Sequence, residues 1–299
     1  MRNPLSKTIE QIKPSGIRKF FDIVSEMPHA ISLGVGEPDF DTPWHVRSEG
    51  IRSLEKGRTF YTSNSGLIEL RQEICKWYQR KYNVLYDYKT EALLTVGGSE
   101  GIDVALRAML DPGDEVIIPE PCYVSYVPCV QLIGAVPVTI ELKNENQFRL
   151  TPEELLAAIT DKTKILILAF PSNPTGAVMT KEDLEPIAKI CQEKDIYVIS
   201  DEIYSELTYG GQKHCSISSL PGMKERTIVI NGFSKAYAMT GWRLGYALAP
   251  EVIAHQMTKI HQFAIMCAPT TSQYAAIEAI KNGDADIEKM CKSYDQRRR

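Results

Sequence analysis

Several features that would settle a protein's class are missing from this sequence. Its seven cysteines, at positions 75, 122, 129, 191, 215, 267 and 291, form no CxxC pair, and an odd count cannot close completely into disulfides. Reduced thiols that mostly fill core space follow, rather than a secreted, stapled scaffold. The five histidines show no metal-ligand spacing, so no structural metal is expected. The chain does not open on an apolar signal region, and no apolar run approaches the length of a membrane span. A cytoplasmic location without membrane contact follows by default. Charge of one sign is also lacking, since 34 Lys and Arg stand against 38 Asp and Glu, interspersed, for a net of −4. That balance points to no acidic or basic partner and to no nucleic acid. Arg297, Arg298 and Arg299 form the one basic run, read as a solvated helix face or a chain end. Repeats, low-complexity tracts and Gly/Ser linkers are absent.

What is present is an ordinary globular composition, 43% hydrophobic and 24% charged over 299 residues, enough for about two domains with a large core. Apolar strand-like runs alternate with amphipathic helical segments, the pattern of a parallel α/β sheet. ALLTV (Ala92 to Val96) leads through Gly97 and Gly98 into a helix ending near Leu110. EVIIP (Glu115 to Pro119), AVPVTI (Ala135 to Ile140) and KILILAF (Lys164 to Phe170) read as strands, the last buried on both faces. A helix opens at Thr180 with Asp183 in capping-box spacing, and IYVIS (Ile196 to Ser200) and TIVI (Thr227 to Ile230) follow as strands. The stretch Ser32 to Pro43, dense in Gly, Pro and Asp, reads as an ordered loop before a charged helix. From Asp284 a helix starts with apolar spacing at Ile287, Met290 and Tyr294, and the sequence reaches its last residue inside that pattern without a Gly or Pro stop. A C-terminally truncated protein is the expectation.

Chemically suggestive residues recur just after strand-like runs, where open α/β sheets bind ligands. The most informative is NGFSKAYAMTGWRLG (Asn231 to Gly245), which places Ser234 and Lys235 at a strand end and Arg243 eight residues past the lysine. An amine there can attack an aldehyde, while a hydroxyl and a guanidinium hold a phosphate. Those three demands together describe pyridoxal phosphate bound as a Schiff base. Burial and neighbouring positive charge would lower the lysine from its reference pKa of about 10.4, as amine chemistry requires. In DEIY, a carboxylate at Asp201 can keep a pyridine nitrogen protonated, and Tyr204, one helical turn on, can hydrogen-bond the phenolic oxygen of the ring. The alternative for these two is an N-cap and a core aromatic. SNPTG (Ser172 to Gly176) is either a simple turn or a rigid loop offering Asn173 to the same oxygen. GGSEG (Gly97 to Gly101) opens a helix whose free N–H groups can receive a phosphate. Tyr123, in EPCYVSY, can stack on a planar ring or simply pack. Glu202 and Glu206 read as structural.

In this order and combination, the segments resemble the motif set of the class I aminotransferases, in the fold type I group of pyridoxal phosphate enzymes. The wording is most similar to the bacterial aspartate and aromatic aminotransferase branch. The resemblance implies a mostly parallel sheet in a large domain (46–283) and an N-terminal arm with part of a small domain (1–45). Residues 284–299 would begin the C-terminal part of that small domain. It implies that Lys235 carries the Schiff base and shuttles the proton, Asp201 pairs with the ring nitrogen, and Tyr204 and Asn173 hold the phenolic oxygen. Ser234, Arg243 and the N–H groups of Ser99 and Glu100 would take the phosphate, Tyr123 the ring face, and Gly36 would lie beside the substrate carboxylate. Tyr61, in YTSNSG, would reach the phosphate of a neighbouring subunit, which implies a homodimer. The arginine that grips the substrate α-carboxylate would lie beyond the last residue of this sequence. The implied reaction moves an amino group between an L-amino acid and a 2-oxo acid. A β-lyase on the same fold, or a catalytically incomplete cofactor-binding module, are the alternatives.

Overall fold

The computed structural model describes residues 2–14, 23, 26, 27, 29 and 36–299. Residues 32–35 of the loop read at Ser32 to Pro43 lie outside these. Seven strands form one sheet: β1 (Ala92–Thr95), β2 (Glu115–Glu120), β3 (Val136–Glu141), β4 (Thr163–Ala169), β5 (Tyr197–Asp201), β6 (Thr227–Gly232) and β7 (Gly245–Leu248). Their spatial order is β1-β7-β6-β5-β4-β2-β3. Neighbours from β3 through β6 pair in parallel. β7 is antiparallel to both β6 and β1, so β1 points the same way as β6. The amino end of β7 therefore lies at the sheet edge formed by the carboxyl ends of all the other strands.

Ten helices are described: α1 (Lys7–Gln11), α2 (Trp44–Glu55), α3 (Ile68–Tyr82), α4 (Gly97–Met109), α5 (Tyr126–Leu132), α6 (Pro152–Ala158), α7 (Lys181–Glu193), α8 (Glu251–Ile265), α9 (Thr270–Asn282) and α10 (Asp284–Arg298). They cover both faces of the sheet, which explains why the central strands are apolar without alternation. Every residue of β6 is buried. Ile228 and Ile230 pack on one face with Ile102 and Leu106 of α4 and Met257 of α8. Val229 faces the other way, towards Ile74 and Tyr78 of α3 and Ala275 and Ala279 of α9. Leu166 and Leu168 of β4 share that second face with Leu184 and Ile187 of α7. Each such side chain contributes about 1.5–3 kcal/mol on burial, which holds the strand tips in fixed relation.

Local signals decide the boundaries. Thr180 caps α7 and Asp183 returns the bond to its N–H, the reciprocal pair expected from the spacing. In α10, Ile287 and Met290 are buried as expected, and Tyr294 meets Phe40 edge-on at 5.3 Å. Arg297 adds an ion pair to Asp39 at 2.6 Å, and His45 bridges Glu278 and Asp286 at 2.8 and 2.9 Å. The segment from Asp39 to His45 thus packs on α9 and α10. One expectation is corrected: Tyr204 does not lie on a helical turn after Asp201. Residues 203–206 form a turn, and the Asp201 carboxylate accepts the N–H of Ile203 at its start, at 3.1 Å.

Candidate active site

The carboxyl ends of the strands open onto a cavity of about 470 Å³, within the roughly 300–1,000 Å³ of small-ligand clefts. β5 ends in Asp201, and the following turn presents Tyr204. β4 leads to Pro171 and Asn173, β6 to Ser234 and Lys235, and the turn after β1 to Gly98 and Ser99. The loop after β2 brings Tyr123. Arg243 precedes β7, and only the reversed direction of that strand brings it to this edge. Gly36 and Glu37 close the opposite side.

Asp201 is 8% exposed, and burial holds its carboxyl above the usual range. Tyr126 opposes that shift by donating its hydroxyl to Oδ2 at 2.8 Å, and Ile203 N–H does so at Oδ1. Both partners are neutral. A buried carboxylate with no ion-pair partner among the described residues is costly, and its burial becomes favourable once a cationic donor reaches it. Lys235 lies across the same cavity with its Nζ 5.6 Å from the Tyr204 ring centroid. Burial, reinforced by Arg243, lowers its pKa, while Glu37 opposes. Its ammonium donates to the Gly36 carbonyl.

The remaining groups form an anion cradle. α4 begins without a side-chain cap, so its first N–H groups are left for a ligand. Gly97 has φ +74°, and a Cβ there would stand 2.7 Å from the Arg243 guanidinium. Gly245 is equally tight, since a Cβ would meet the backbone of Gly97 at 2.6 Å. These two glycines let β7 and the start of α4 touch, which sets Arg243 against the helix end. Arg243 itself donates to the Thr240 carbonyl at 3.2 Å and meets no carboxylate among the described residues. Ser99 Oγ lies 3.5 Å from Tyr123 Oη.

The donor set fits pyridoxal phosphate: an anionic partner for a ring N–H, an amine of lowered pKa for an aldehyde, and a cradle for a dianion. Of the residues singled out from the sequence, Lys235, Asp201, Tyr204, Ser99, Tyr123, Asn173, Ser234, Arg243 and Gly36 line one cavity. Glu100 does not; its carboxylate turns towards His261. Tyr61 stands apart, 80% exposed on a surface loop. Sequence reasoning passed over Tyr126, whose partner Asp201 lies 75 positions away and leaves no local sign.

A family model for aminotransferases of class I and II matches residues 28–299. The Bacillus subtilis protein YugH is 52% identical over 298 residues, which are 100% of this chain and 77% of that one. An aspartate aminotransferase of Pyrococcus abyssi is 46% identical over 297 residues, 99% of this chain and 76% of that protein. The solved structure of aspartate aminotransferase from Thermus thermophilus with maleate superposes with TM-score 0.94 at 38% identity, covering 100% of this chain and 78% of that one. The chain thus spans about three quarters of the length of these relatives. With a sheet, a strand-end lysine and a buried aspartate that fit the cofactor, the chain belongs to the class I and II aminotransferases, a pyridoxal phosphate-dependent family.

Proposed function

We propose that this chain moves an amino group between an L-amino acid, of aspartate or aromatic type, and a 2-oxo acid, in two half-reactions at one cavity. The observation that carries the reading is the pairing of Lys235, its pKa lowered by burial, with a buried Asp201 that has only neutral partners. Pyridoxal phosphate bound here supplies an aldehyde that condenses with amines and a protonated ring that draws electrons from the substrate α-carbon. Asp201 holds the proton on the ring nitrogen, and Tyr126 and Ile203 N–H fix the carboxylate's direction. Tyr204 and Asn173 hydrogen-bond the phenolic oxygen. Ser234, Arg243 and the N–H groups of Ser99 and Glu100 hold the phosphate, and Tyr123 covers the ring. Lys235 Nζ anchors the cofactor, then takes and returns the substrate's α-proton as general base and acid. Gly36 borders the space for the substrate carboxylate.

The described surface around Tyr61 supports a homodimer. Phe60, its neighbour in the chain, and Phe263 of α8 are 80% and 84% exposed; Thr270 at the start of α9 donates to Phe60 O, and Asn64 donates to Met266 O just past α8. An apolar, fixed surface of this kind suits a partner subunit, whose phosphate Tyr61 would reach. The contacts of the Asp39–His45 segment with α9 and α10 support a small domain shared by residues 1–45 and 284–299. The protein works in the cytoplasm. Amino acids assayed in turn with 2-oxoglutarate should give the matching oxo acid and glutamate. Pyruvate and ammonia from a cysteine-like substrate, with no acceptor needed, would favour a lyase and overturn the proposal.

A further inference from the structure

We propose that His261 is a positioning residue for the anionic end of the cofactor, acting through Glu100. This rests on the reading of the site just given. Glu100 occupies the first turn of α4, next to Ser99, where the phosphate is to be held. A free carboxylate at that point would oppose an anion. Its side chain is instead folded back. Oε2 accepts from the N–H of Val96, the residue that precedes the helix, and Oε1 lies 2.6 Å from His261 Nδ1.

His261 belongs to α8 and is fully buried at 0% exposure. Its Nε2 has no hydrogen-bond partner among the described residues, so the imidazole's side-chain bonding is directed at Glu100. Two consequences follow for the cradle. The His261 contact fixes the carboxylate against Val96 N–H, steadying the turn in which Gly97 sits at φ +74° against Arg243. The same contact keeps the Glu100 carboxylate turned back from the helix start, where it would otherwise oppose an anion. His261 therefore favours the phosphate without touching it.

The test compares two probes on cofactor-free protein: pyridoxal phosphate, and pyridoxal, which lacks the phosphate. Binding is followed by visible absorbance, with no turnover involved. For His261→Leu, affinity for pyridoxal phosphate should fall by roughly tenfold or more, the scale of a carboxylate released towards a bound anion at a half-buried site. Affinity for pyridoxal should change less than about twofold on the same reasoning, because no anion meets the charge. Adding Glu100→Gln to His261→Leu should restore most of the loss. Equal losses for both probes, or no rescue, would overturn the inference. If His261→Leu does not fold, His261→Gln keeps a polar side chain there but carries its amide nitrogen nearer the Nε2 position than the Nδ1 position that meets Glu100. It should still weaken the phosphate-bearing probe alone, and an unchanged ratio overturns the inference. A wild-type protein that shows no preference between the probes would instead refute the reading of the site and leave the His261 pair without a role.

Discussion

Replacing Asp201 by asparagine should push stability and activity in opposite directions. In the cofactor-free protein the carboxylate is buried with only a hydroxyl and an amide as partners. Desolvating an ion costs several kcal/mol, and two charge-assisted hydrogen bonds return about 1.5–3 kcal/mol each. A net penalty of about 1–2 kcal/mol remains, by the same bookkeeping. Asparagine keeps the shape and an acceptor for Ile203 N–H, so it removes most of that penalty. Tm of the cofactor-free protein should rise by roughly 1.5–3 °C for a chain of this size. The sign of the pH dependence follows from the raised carboxyl. Wild type has its full stability from this group at low pH, where the carboxyl is neutral, and loses it as pH rises through the elevated folded-state pKa. The advantage of Asp201→Asn should therefore be absent in acid and grow towards neutrality. With cofactor, the same change removes the charge that keeps the ring nitrogen protonated. Losing one partner of a buried ion pair, about 3–5 kcal/mol, corresponds to a fall in kcat of roughly 10²–10⁴-fold. Calorimetry of the cofactor-free form at several pH values, beside steady-state rates of the loaded form, separates the two effects. A lower Tm at neutral pH, or an advantage that grows in acid, would refute the reasoning.

Three other substitutions probe the scaffold. Tyr126→Phe removes the hydroxyl that lowers Asp201's pKa; pH titration of the bound cofactor's absorbance should show its midpoint displaced and kcat reduced by roughly tenfold, for a lost hydrogen bond to a charge. Gly245→Ala forces a Cβ to within 2.6 Å of backbone, so the cofactor-free protein should lose about 3 kcal/mol or more in urea unfolding, the upper range of core strain. Thr42 accepts from Trp242 Nε1 at 3.0 Å and donates to Ala238 O at 2.6 Å, inside the lysine loop. Thr42→Val should cost about 1–3 kcal/mol by leaving both groups unpaired, while Thr42→Ser should recover most of it.

Much of the fold was legible because its central strands are buried on both faces. KILILAF and TIVI are short, rich in Ile and bounded by turn residues, which favours interior sheet over a buried helix, and capping at Thr180 came directly from spacing. The convergence of Asp201, Asn173, Ser99 and Lys235 also followed, since a parallel sheet gathers the residues after each strand. Arg243 is the informative case: its motif marked it, but its place depends on β7 running backwards, which no local pattern encodes. The turn at Tyr204 escaped because a three-residue spacing suits a turn as well as a helix. Tyr126 and His261 were invisible for a different reason. Each matters through one contact with a residue 75 or 161 positions away, and a lone Tyr or His carries no sign of its partner.

The central claim concerns which amine carries the cofactor. The chain should be loaded with pyridoxal phosphate, reduced with borohydride, digested and mapped by mass. One modified peptide, bearing the added mass on Lys235, is the predicted result, and Lys235→Ala protein should remain unlabelled. Label on another lysine, or equal labelling of the Lys235→Ala variant, would contradict the account.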